Sequence, residues 1–165
     1  MCLKIFRKKL ALPHPEEPAN YAQTMATANI DVVISKWLID WQVPARYDNH
    51  WLDAIEIKLT MEIPYPAATY EVVGKRHLDI RPEWLNAGVI AHEQAHNSYA
   101  LLTGDEKQEF VALYTPLIKT DPLIKLLYSK NTYGLTSVIE GHAELYRYLG
   151  HQLPDVLKPY YPKLF

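Results

Sequence analysis

One cysteine, Cys2, stands in a chain of 165 residues. That scarcity excludes a disulfide framework within the chain and is compatible with a reducing compartment. Long apolar runs are missing as well, so no segment reads as a membrane span. The start, Met1 to Leu10, mixes Lys4, Arg7, Lys8 and Lys9 with apolar residues and lacks the continuous core of a signal peptide. Residues 1–20 read as a loosely ordered N-terminal segment. Nor does one sign of charge dominate: the net charge of -2 offers no electrostatic footprint for nucleic acid. With no internal repeat, low-complexity tract or linker, a single domain over 1–165 is expected. A cytoplasmic location is the one these absences favour.

What is present is an ordinary globular composition, 48% apolar and 22% charged, long enough to bury a core without staples. Ile30, Val33, Ile34, Trp37, Leu38 and Trp41 fall at helical spacing, a core-facing stripe ended by Pro44. Over 55–63, Ile55, Ile57, Leu59, Met61 and Ile63 alternate with polar residues, the mark of a half-buried strand that Pro64 and Pro66 break. A second extended stretch, Tyr70 to Ile80, is interrupted by Gly74. Further on the patterns are helical. Asp105 with Gln108 resembles a capping box, Pro116 predicts a kink or an end, and Asp121-Pro122 starts another helix. Pro154 predicts a short last helix, with Tyr160, Tyr161 and Phe165 packed against the body. The architecture is α+β, a small sheet followed by a helical C-terminal half.

One pentapeptide carries chemistry: His92-Glu93-Gln94-Ala95-His96. Residues four apart on a helix share a face, so both imidazoles reach one metal ion. The adjacent glutamate then lies beside the open coordination position, where it can deprotonate a water. Pro82 suits the first turn of that helix and Gly104 its stop, and the apolar residues between them predict burial. Buried histidines and a buried glutamate need partners, and zinc would be one.

A catalytic zinc normally takes three protein ligands. Leu102 occupies the place where a third histidine would complete the metzincin pattern, and Cys2 has no second ligand near it. The best remaining segment is a helix from Ser137 to Gly150 with Glu140 and Glu144 on one face. One of these carboxylates could ligate the metal while the other orients a ligating histidine from behind. Ser137-Val138-Ile139-Glu140 also fits a capping box, in which Glu140 would only close the helix N-terminus. His142 projects to a different face and reads as a surface or hydrogen-bonding residue.

An HExxH followed by a glutamate on a later helix resembles the gluzincin group of zinc metallopeptidases. Within that group, Glu140-Gly141-His142-Ala143-Glu144-Leu145-Tyr146-Arg147 is similar to the glutamate helix of the anthrax lethal factor family. The resemblance covers residues 80–150. It implies a zincin-like fold, one zinc per chain on His92, His96 and Glu140, and Glu144 as the carboxylate behind a ligating histidine. It also implies that Tyr133, seven residues before Glu140, stabilises the oxyanion. The strand over 70–80 would be the cleft edge, hydrogen-bonding an extended peptide or protein substrate by strand addition.

The mechanism this implies is peptide hydrolysis by a zinc-activated water, with Glu93 as general base and then proton donor to the leaving amine. Two other readings keep the metal. In one the domain no longer cleaves and serves as a latent or regulatory recognition module. In the other the same chemistry meets a non-peptide substrate. An intact Glu93 favours an enzyme, because a purely structural site has no use for that base.

Overall fold

Residues 55–81, 84 and 87–165 are described by the computed structural model. The stripe at 29–41 with Pro44, the segment 1–20, Cys2 and Pro82 lie outside the described residues.

Strand β1, Ile55–Leu59, covers the first part of the alternating run and no more. Thr60 ends it: its N–H still bonds Ile80 O at 3.0 Å, but its Oγ1 accepts the Glu62 N–H at 3.1 Å and bends the chain. Met61, expected to face the core, is exposed. The stretch read as one strand over 70–80 is a hairpin. Strand β2, Ala67–Val72, turns at Val73 and Gly74 into β3, Lys75–Ile80. Both turn residues have positive φ, 49° and 75°, the requirement of the two-residue hairpin turn that matches strand twist. Tyr70 stacks on His77 across the pair with ring centroids 5.3 Å apart.

The sheet order is β1-β3-β2, with β1 parallel and β2 antiparallel to β3. Its central strand β3 supplies Leu78 and Ile80, both fully buried. Helix α1, Ala87–Leu101, follows and packs on β2. Almost every turn of it is buried, polar residues included, as its apolar flanks predict.

Gly104 does not stop that helix; it opens the next, α2, Gly104–Thr120. The cap is Thr103, whose Oγ1 accepts the Glu106 N–H at 3.3 Å while Glu106 Oε2 accepts the Thr103 N–H at 2.7 Å. This reciprocal box lies two residues ahead of the Asp105–Gln108 pair. Pro116 neither ends nor interrupts the assigned helix, for the carbonyl it leaves unbonded belongs to exposed Ala112. Helix α3, Pro122–Lys130, starts as expected, with Asp121 Oδ1 accepting from the N–H groups of Leu123 and Ile124.

A 3₁₀ turn, Tyr133–Leu135, leads into α4, Val138–Leu149, which Ser137 caps and Gly150 ends at φ 48°. Pro154 starts a turn rather than an α-helix, followed by a 3₁₀ turn at Lys158–Tyr160. Tyr161 is buried and stacks on His142 at 3.7 Å, while Ser98 of α1 donates to Pro162 O at 2.9 Å. Among the described residues, no helix is long and apolar enough to cross a membrane.

Candidate metal centre

Helix α1 presents His92 and His96 one turn apart, their rings edge to face and their Nε2 atoms separated by 3.0 Å. Helix α4 packs closely across it, with Ala91, Ala95 and Ala143 fully buried. That approach brings Glu140, in the first turn of α4, to the pair: Oε2 lies 3.2 Å from His92 Nε2 and 3.6 Å from His96 Nε2. Ser137 Oγ does accept the Glu140 N–H at 3.2 Å, but the Glu140 carboxylate turns to the histidines and leaves the box unreciprocated.

His92, His96 and Glu140 form a group that could hold a metal ion. Their spacing suits one. A tetrahedral ion with bonds of about 2.0 Å holds its ligand atoms roughly 3.3 Å apart. Glu140 Oε2 is shut off from solvent and makes no properly directed hydrogen bond. Three candidate ligand atoms thus converge, one of them a buried carboxylate oxygen, and together they could hold a cation.

Glu144, one turn further along α4, stands behind this triad. Its Oε1 lies 2.7 Å from His92 Nδ1 and 3.3 Å from Arg147 Nη1, and its Oε2 accepts from Asn131 Nδ2. Burial alone would raise its pKa, but the His92 hydrogen bond and the Arg147 charge outweigh that and lower it. Burial likewise depresses His92, yet the contacts with Glu140 and Glu144 lift it to about 9. His96 goes the other way, to about 4, through burial and the neighbouring His92 charge. The His92 contact holds Glu140 below its usual range.

Glu93 is buried, and that burial pushes its carboxyl up, opposed by the His92 charge and by a hydrogen bond from the Thr69 N–H. It lines two cavities. One, of about 410 Å³, is walled by Tyr65, Trp84, Val89 and Arg147. The other, of about 440 Å³, lies towards Thr69, Arg76, Leu101 and Ile139. His96 borders both, while His92 and Glu140 line the first alone.

Tyr133 sits at the rim, half exposed, with its ring 6.1 Å from that of His92. Burial and the hydrogen-bonded Glu140 carboxylate raise its pKa, so the hydroxyl stays protonated and able to donate.

His142 is not on the surface. It is fully buried on the back of α4, where its Nε2 meets Tyr160 O at 2.8 Å, and burial pulls its pKa down to about 3. The expected substrate strand over 70–80 also needs correcting. Strand β3 is flanked on both sides and has no free edge; β2 pairs, among the described residues, with β3 alone. Sequence reasoning missed Asn131 and the Thr69 N–H, which carry no motif, and assigned no role to Arg147.

No protein-family model matches the chain, and neither a curated protein nor a solved structure is significantly similar to it.

Proposed function

We propose that this chain is a zinc-dependent metallopeptidase of the gluzincin type on a zincin-like α+β fold. The observation that carries the reading is the convergence of His92 Nε2, His96 Nε2 and Glu140 Oε2 beside buried Glu93, against a cavity that all four residues line. A zinc ion held by those three atoms would supply Lewis acidity, bringing the pKa of a coordinated water towards neutrality.

The chain's own residues then have distinct tasks. Glu93, its basicity raised by burial, takes the proton of the attacking water and returns it to the leaving amine. Tyr133 keeps its hydroxyl proton and donates to the oxyanion as it develops. Glu144 accepts from His92 Nδ1, which keeps the Nε2 lone pair turned to the cleft. An extended peptide would align along the outer edge of β2, the strand that reaches Glu93 through the Thr69 N–H.

The test compares the native protein with Glu93→Gln on a diverse peptide library, after elemental analysis has set the zinc content. One zinc per chain in both, with turnover only in the native protein, is the expected result. Equal turnover from the two, or none from a zinc-loaded native protein, overturns the peptidase reading.

A further inference from the structure

Asn131 follows the last residue of α3, and its backbone N–H closes that helix on Leu127 O at 2.8 Å. With the backbone fixed, the side-chain amide meets three groups. Nδ2 donates to Glu144 Oε2 and, at 3.3 Å, to Tyr148 Oη. Oδ1 accepts the Tyr133 N–H at 2.9 Å. A carboxylate only accepts and a backbone N–H only donates, so the orientation of this amide is dictated by its partners.

The groups it joins belong to different parts of the centre. Glu144 fixes the ring of His92. The Tyr133 N–H starts the 3₁₀ turn whose aromatic ring stands beside His92. Gly134, the next residue, seats the same turn against α4 so closely that a Cβ there would lie 3.1 Å from Glu144 Cβ. One planar amide therefore spans the gap between the carboxylate and the turn.

We propose that Asn131 is a positioning residue that locks the direction of the His92 ligand and the place of the Tyr133 turn to each other. The inference rests on the metal reading above. It assigns no contact with substrate or metal to Asn131; it acts through Glu144 on one side and Tyr133 on the other.

Two measurements on the full chain test it: zinc affinity by competition with a chelator, and hydrogen exchange at the Tyr133 amide. Asn131→Ala removes the contacts to Glu144 and to the Tyr133 N–H, and should bind zinc about tenfold more weakly, the low end of the range for lost partners of ligands, since Asn131 acts one contact further out. Its Tyr133 amide should also exchange faster. Asn131→Asp separates the two halves. It keeps an acceptor for the Tyr133 N–H but sets a second carboxylate against Glu144, so Tyr133 stays protected while zinc affinity falls. Adding Glu144→Gln to Asn131→Asp exchanges donor and acceptor across the same contact, and should recover affinity about tenfold over Asn131→Asp alone. A protein that merely lost stability would show neither the split nor the recovery.

A native chain that takes up no zinc overturns the metal reading and this inference with it. A zinc-binding native chain, with Asn131→Asp at native affinity or the double variant no tighter than Asn131→Asp, overturns this inference alone.

Discussion

Glu144 Oε1 lies 2.7 Å from His92 Nδ1, and that contact decides which nitrogen of His92 faces the cleft. In the neutral ring Nδ1 carries the hydrogen, so Nε2 presents its lone pair towards His96 and Glu140. The two glutamates of α4 thereby have separable roles, and separable consequences when they are removed.

Glu140→Ala deletes a proposed ligand atom and should leave the purified protein without stoichiometric zinc. Glu144→Ala keeps all three ligand atoms and should retain zinc with affinity reduced about tenfold to a hundredfold. Elemental analysis and chelator titration separate the two. Zinc retained by Glu140→Ala and lost by Glu144→Ala would invert the assignment.

Zinc uptake should be steeply pH-dependent. His92, with a pKa of about 9, holds a proton in the metal-free protein, whereas His96, at about 4, does not. Binding must displace the His92 proton, so one proton is released per ion at neutral pH. Affinity should rise about tenfold per pH unit from neutrality until pH approaches the His92 value, and then level off. Calorimetry in buffers of different ionisation enthalpy counts the proton directly, and a count of two at about pH 6, below the titration of a zinc-bound water, would show that His96 is charged as well.

Acid should destabilise the metal-free fold through His142. Its folded pKa of about 3 lies below that of an unfolded histidine, so the unfolded chain binds the extra proton between those values. Stability from this group is complete above about pH 6.5 and is lost as pH falls towards the folded value. His92 is protonated in both states over the lower part of this window and adds little slope there. Compared with His142→Gln, the native chain should lose up to about 1.4 kcal/mol more per pH unit. Denaturant unfolding across acid pH measures it; parallel profiles for the two proteins would refute it.

Gly141→Ala should destabilise the site region. A Cβ at that position would stand 2.8 Å from Gly134 O, a backbone atom that cannot swing aside. Either α4 or the Tyr133 turn must move, at a cost of about 1–3 kcal/mol. Unchanged unfolding midpoints would show that the turn yields freely.

How legible this arrangement was in the chain depends on the range of the signal. His92 and His96 are visible because a helix brings positions four apart together, and α4 because Ser137 and Gly150 mark its ends. The structure brings Glu140 and Glu144 to those histidines, as their shared face suggests. The hairpin was hidden by Val73, a β-branched residue at positive φ where turn-formers are expected. Thr103–Glu106 and Asp105–Gln108 overlap as capping patterns, and only the reciprocal hydrogen bonds choose between them. Asn131 had no pattern at all. Its role depends on a contact with Glu144, thirteen residues on, that only the packing of α3 against α4 creates.

Residues 160–165 bear on the candidate metal centre without approaching it. Pro162 O takes the Ser98 hydroxyl, and Tyr161 lies against His142, so these residues form a back wall to both α1 and α4. The 15-residue helix α1 has its histidines on one side and this wall on the other. Shortening the chain ahead of Tyr160 would spare every ligand atom yet leave α1 and α4 without a buttress. A tag cleaved there, or a nick by a contaminating protease, would mimic a ligand mutation.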